Sequence, residues 1–115
     1  MTKEIGKKQL MRNLQKVGLG EGRIQIKFSK RKDSGLLWLK DRNGYEPNLF
    51  LLWNDRTNSH SYLSEVGHFK HIENVRYFSR PQVKNGQVKY RITDSAGINI
   101  FYRRQISSLK KITLN

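Results

Sequence analysis

Apolar and polar positions alternate most cleanly in two stretches, residues 23–29 and 75–104, and the alternation predicts strands. In the first, Ile24, Ile26 and Phe28 point one way while Arg23, Gln25 and Lys27 point the other. The second reads as three antiparallel strands joined by two tight turns. Asn85-Gly86 is a strong hairpin signal, because both residues tolerate positive φ. A two-residue turn there pairs Lys84 with Gln87, Val83 with Val88, Gln82 with Lys89 and Arg80 with Arg91. Since side chains alternate faces, Phe78, Arg80 and Gln82 are expected on one face with Lys89, Arg91 and Thr93. Tyr77, Val83, Val88, Tyr90 and Ile92 fall on the other.

The second turn is set by the same pattern. For Ile98, Ile100 and Tyr102 to join the apolar face, Asp94 must sit opposite Ile98. That leaves the loop Ser95-Ala96-Gly97, and Gly97 occupies the last position, where a left-handed residue is wanted. Phe101 then lies beside Arg91 and Arg103 beside Lys89. One sheet face is expected to carry Arg76, Phe78, Arg80, Lys89, Arg91, Phe101 and Arg103. Like charges directly across a strand pair cost stability, a cost that a polyanion lying over the face would relieve.

The remaining pattern supplies a helix and further strands. Residues 2–17 are spaced for a helix: Thr2 suits its cap, Gly18 its end, and Leu10, Leu14 and Val17 form a narrow apolar stripe with Ile5 or Met11 at its margin. Residues 36–40 continue from a basic turn as a strand paired with 23–29. Asn43-Gly44 marks another turn, and 48–54 follow as a strand. Residues 49–53 are apolar without interruption, which predicts a central strand covered on both faces, with the N-terminal helix as the cover on one side. Residues 61–66 suit a short strand. The expected architecture is α+β or mainly β: an N-terminal helix (1–18) and a strongly bent antiparallel sheet or small barrel of six or seven short strands (23–104). A C-terminal tail or short helix (105–115) completes a single domain.

Charge changes the picture. Lys and Arg number 23 against 9 acidic residues, a formal net charge of +14, and the excess is spread along the chain rather than gathered in a tail. Self-repulsion of this size disfavours the compact state unless a partner uses it. Nucleic acid (DNA or RNA), an acidic protein or an anionic membrane surface are the partner classes. The absence of cysteine excludes disulfides and Cys-based zinc sites. The apolar runs are too short for a membrane span and no N-terminal run has the form of a signal peptide, so a cytoplasmic protein is expected. The Lys, Asn and Ile usage and the compact length suit a small accessory protein of a phage or plasmid.

Candidate chemistry follows from these placements. The basic run Lys27, Lys30, Arg31 and Lys32 is the densest positive cluster and suits a loop that clamps a phosphate. The face of 75–104 interleaves Phe78 and Phe101 with arginines, which suits unstacked bases better than a duplex that hides its base faces. The leading expectation is therefore a non-catalytic nucleic-acid-binding domain for single-stranded or unpaired strands, with no cofactor. Trp38 and Trp53 lie in apolar runs and are read as core, while Tyr45 sits in a basic turn as a further stacking candidate. A second expectation is a small metal-independent ribonuclease or toxin using His68 or His71, with Glu65 or Glu73 and Arg76 or Arg80 in support. The HxxH spacing of His68 and His71 is also the weak outline of a metal site. Asp33, Asp41, Glu46 and Asp55 have no spacing that suggests a metal-dependent nuclease. A third expectation is an interaction module that grips an acidic partner.

Overall fold

The computed structural model describes residues 6–16, 18–19, 23–31, 33–40, 48–54, 60–67, 69 and 71–113. These residues form three layers: a helix, a five-stranded antiparallel sheet, and a four-stranded antiparallel sheet. Helix α1 spans Lys7–Lys16. The first sheet holds β1 (Arg23–Phe28), β2 (Ser34–Lys40), β3 (Asn48–Asn54), β4 (His60–Glu65) and β9 (Lys110–Thr113), in the order β1-β2-β3-β4-β9. The second holds β5 (Val75–Phe78), β6 (Gln82–Lys84), β7 (Gln87–Asp94) and β8 (Asn99–Gln105). β5 and β6 share one side of β7, and β8 takes the other.

The uninterrupted apolar run explains the layering. β3 is the central strand of the first sheet and is buried on both faces. Leu37, Leu39, Phe50, Leu52, Leu63 and Ile112 face the helix, where Leu10 and Leu14 are fully buried against them. Each such leucine contributes roughly 1.5–3 kcal/mol by burial. Leu36, Trp38, Leu49, Leu51 and Trp53 face the other way and build a second core with Val75, Val88, Tyr90 and Ile92. The basic residues Lys7, Lys8, Arg12 and Lys16 of α1 remain exposed.

The sheets do not close into a small barrel. A strand apolar on both faces needs cover on both, and here a helix and a second sheet supply it, leaving β1 and β9 as edges of the first sheet. The C-terminal segment, expected as a tail or short helix, makes one 3₁₀ turn at Ile106–Ser108 and then adds β9 alongside β4. Ile106, Leu109 and Ile112 recur every third residue and mimic a helix. Burial of Ile112 opposite Ser61 decides for the strand. No helix among the described residues is long and apolar enough to cross a membrane.

Both turns of the second sheet have the expected chemistry. Asn85 and Gly86 adopt φ of 54° and 74°, and Gly97 adopts 86°. Gln82, Val83 and Lys84 pair with Lys89, Val88 and Gln87, and Arg91 pairs with Phe101, Lys89 with Arg103. Asp94 holds its loop by accepting the amides of Ala96 and Ile98 on Oδ1, at 3.0 and 2.8 Å.

The register does not continue past Pro81. Gln82 pairs with Lys89, but Ser79 already donates its amide to the Arg91 carbonyl at 2.9 Å, and Phe78 pairs with Ile92. One extra residue is thus taken up between Ser79 and Gln82. Pro81 has no N–H to give β7, and the Ser79 hydroxyl stands in for a backbone acceptor by receiving the Arg91 amide at 2.8 Å. A second irregularity lies between Val75 and Tyr77. A one-residue slip exchanges the faces. Phe78, expected outside, packs on the core shared by the sheets, and Tyr77, expected inside, points out.

Candidate nucleic-acid interface

The outer face of the second sheet is built by β5, β7 and β8. Register puts Lys89, Arg91 and Thr93 of β7 beside Arg103, Phe101 and Asn99 of β8, and Tyr77 of β5 beside Thr93. Phe101 is 75% exposed and Tyr77 51% exposed. By register their cross-strand neighbours are polar, Arg91 for Phe101 and Thr93 for Tyr77. The Arg91 guanidinium carbon sits 5.2 Å from the Tyr77 ring centroid, an arrangement worth about 0.5–1 kcal/mol at an exposed site. Arg91 Nε has no hydrogen-bond partner, so ring stacking rather than hydrogen bonding orients this side of the guanidinium. Lys84, Lys89, Arg91 and Arg103 give the face its charge. By register no Asp or Glu of these strands shares it, since Asp94 is engaged in its own turn.

The other expected residues are distributed differently. Phe78 is a correction to the expected face: it turns to the core side, partly buried there, and lines the basic cleft rather than the outer sheet face. Arg80 leaves the sheet face to form a hydrogen-bonded ion pair with Asp33, a buried carboxylate in the turn between β1 and β2. Ser29 Oγ donates to the same carboxylate at 3.2 Å. Arg76 is exposed at the irregularity in β5, with Nη1 close to Gly97 of the β7–β8 turn. Lys27 Nζ lies 3.4 Å from the Val75 carbonyl. Lys30 and Arg31 are exposed at the β1–β2 turn.

These contacts bring the two basic regions together. Lys27, Lys30 and Arg31 line one side of a cleft whose other side is Arg76, Tyr77 and Arg80. The cleft opens beside the sheet face, and Arg80 lines both. Asp33 is the acidic group there, already engaged by Arg80. Lys32 and Tyr45 lie outside the described residues, as does the Asn43-Gly44 turn.

The inner face is a packed aromatic layer. Tyr90 and Tyr102 stack with centroids 5.0 Å apart. The Tyr90 hydroxyl bonds Ser64 Oγ at 2.6 Å, and Tyr102 donates to the Val66 carbonyl at 3.2 Å. Burial raises the Tyr90 phenol above its ordinary value despite the Ser64 bond, and burial raises Tyr102 likewise against the opposing pull of Arg104. Trp38 and Trp53 are both core residues.

The residues of the alternative chemistries are only partly among those described. His68 and the His60 side chain lie outside the described residues, as do Asp41, Glu46 and Asp55. His71 is exposed and stacks on Trp38 with centroids 6.3 Å apart. Among the described residues no three His, Asp or Glu side chains gather as metal ligands would.

Sequence reasoning missed Tyr77 as a surface residue. The available signal was Pro81, across which a hairpin register cannot be extrapolated. Set against protein-family models, curated proteins and solved structures, the chain has no significant match.

Proposed function

We propose that this protein is a non-catalytic nucleic-acid-binding domain that takes single-stranded or unpaired DNA or RNA across the outer face of its second sheet. The observation that carries the reading is the pairing of two exposed rings, Phe101 and Tyr77, with the cations Arg91, Lys89 and Arg103 on one open face. Exposed aromatic rings offer stacking surfaces that any base can use. The cations supply phosphate neutralisation, which gives affinity and its salt dependence. Lys89 and Arg103 face each other directly across β7 and β8, a repulsion that a bound phosphate relieves. The cleft of Lys27, Lys30, Arg31 and Arg76 extends the positive track beyond the sheet edge.

Binding of a fluorescently labelled single strand, measured by anisotropy over a range of salt concentrations, tests the reading. Affinity is expected to fall with a log–log slope of about −0.7 per phosphate neutralised. The Lys89→Ala, Arg103→Ala double variant then loses about 1.4 from the magnitude of that slope, being two contacts at the same value. A duplex of the same sequence binds more weakly than the single strand. Absence of binding, or a slope unchanged in the double variant, contradicts the proposal.

A further inference from the structure

A third hollow opens between the two sheets, next to the proposed face and distinct from it. Its volume is about 570 Å³, within the roughly 300–1,000 Å³ of small-molecule pockets. Half-buried Tyr62, with the almost fully buried Trp53 stacked on it at 5.5 Å between centroids, forms its aromatic wall. Val83 and Ile106 form an apolar rim, and Val83 is 55% exposed although it belongs to the inward-facing row of β6. Arg80 and Gln82 supply polar groups at one end. An aromatic wall with a few convergent polar groups is the usual make-up of a pocket for a flat, polar-edged molecule.

Arg80 connects this pocket to everything else. It lines the interlayer pocket, the sheet-face groove and the basic cleft alike, and Gln82 lines the first two. The ion pair with Asp33 holds the Arg80 guanidinium at the basic cleft. A guanidinium presents five donors in a planar fork, so one edge can hold Asp33 while another meets a phosphate. Lys111, the cross-strand neighbour of Tyr62, lies 5.8 Å from that ring's centroid.

We infer that the interlayer pocket receives one unstacked base of the bound single strand, with the attached phosphate at Arg80. The inference rests on the nucleic-acid reading above and adds a site to it. One feature selects a base of the strand as occupant: through Arg80 and Gln82 the pocket is continuous with the face on which the strand lies. The base leaves the Phe101 row at Arg80, passes Gln82 and lies against the Trp53–Tyr62 wall.

One titration reads both levels. A labelled single-stranded oligonucleotide is added to the protein while label anisotropy and tryptophan emission are followed together. Emission is expected to be quenched in step with the anisotropy rise. In Trp53→Phe the quenching disappears, because Trp38 lies outside the pocket. Val83→Phe narrows the mouth on a half-exposed edge-strand position. It is expected to weaken binding by at least about fivefold, the lower bound for one stacked base, with the salt slope unchanged. Tight binding that Phe101→Ala weakens, but with no quenching and no effect of Val83→Phe, overturns the pocket and leaves the face standing. Quenching by a free nucleoside monophosphate but not by the oligonucleotide overturns it as well. No anisotropy rise overturns both.

Discussion

Phe78 and Phe101 offer a direct separation of folding from binding, because the pattern of the chain places them on one face and the structure places them on opposite faces. Phe101 is 75% exposed. Its truncation to alanine removes little buried surface, and unfolding free energy is expected to move by no more than about 0.5 kcal/mol. If its ring carries a base, affinity for a single strand falls by roughly 1–3 kcal/mol, about five- to 150-fold. Phe78 packs partly buried on the core between the sheets, opposite Ile92. A fully buried Phe→Ala costs about 3–5 kcal/mol, and partial burial scales this to about 2 kcal/mol. With a urea slope of roughly 1–3 kcal/mol/M, Phe78→Ala lowers the midpoint by about 1 M. Under conditions where it remains folded, it binds within about twofold of the wild type, since that ring is not on the outer sheet face. Urea unfolding and anisotropy titration of the two variants give the four numbers. Equal stability losses, or a binding loss in Phe78→Ala as large as in Phe101→Ala, refute the slipped register and the face built on it.

Arg80→Ala removes the guanidinium from a buried carboxylate. Breaking a fully buried pair costs about 3–5 kcal/mol. Because the Arg80 side chain is 33% exposed, about 2 kcal/mol is expected by urea unfolding, partly recovered when Asp33→Asn is added. Alkaline pH is the second handle. Below about pH 10, the ordinary tyrosine value, both states keep the Tyr90 proton. Above it the unfolded chain releases its proton first while buried Tyr90 retains it, so stability falls as pH rises toward the raised folded value. Urea midpoints at about pH 9 and pH 11 are expected to differ less in Tyr90→Phe than in the wild type.

Where local chemistry overdetermined the answer, the sequence was readable. Asn85-Gly86 and Gly97 fix two turns because few residues adopt positive φ cheaply, and β7 with β8 follows residue by residue. The doubly apolar run at β3 announced cover on both sides, and a helix stripe as narrow as Leu10 and Leu14 suffices for one of them. Tertiary competition set the rest. Alternation alone cannot report that a proline inserts an extra residue and exchanges Tyr77 with Phe78. The pairing of Arg80 with Asp33, 47 residues earlier in the chain, has no local signature. β9 was hidden because Ile106, Leu109 and Ile112 recur at helical spacing and only the edge of β4 selects a strand. The candidate site was therefore legible as a composition, basic residues interleaved with aromatics, and only partly as a list of positions.

The proposed path of a single strand runs over the outer face of the second sheet. Backbone amide chemical-shift mapping during titration with a single-stranded oligonucleotide tests it residue by residue. The account predicts the largest shifts at Tyr77, Lys89, Arg91, Phe101 and Arg103, with α1 amides such as Leu10 and Leu14 unmoved. Shifts concentrated on the exposed basic face of α1, with β7 and β8 silent, would contradict it.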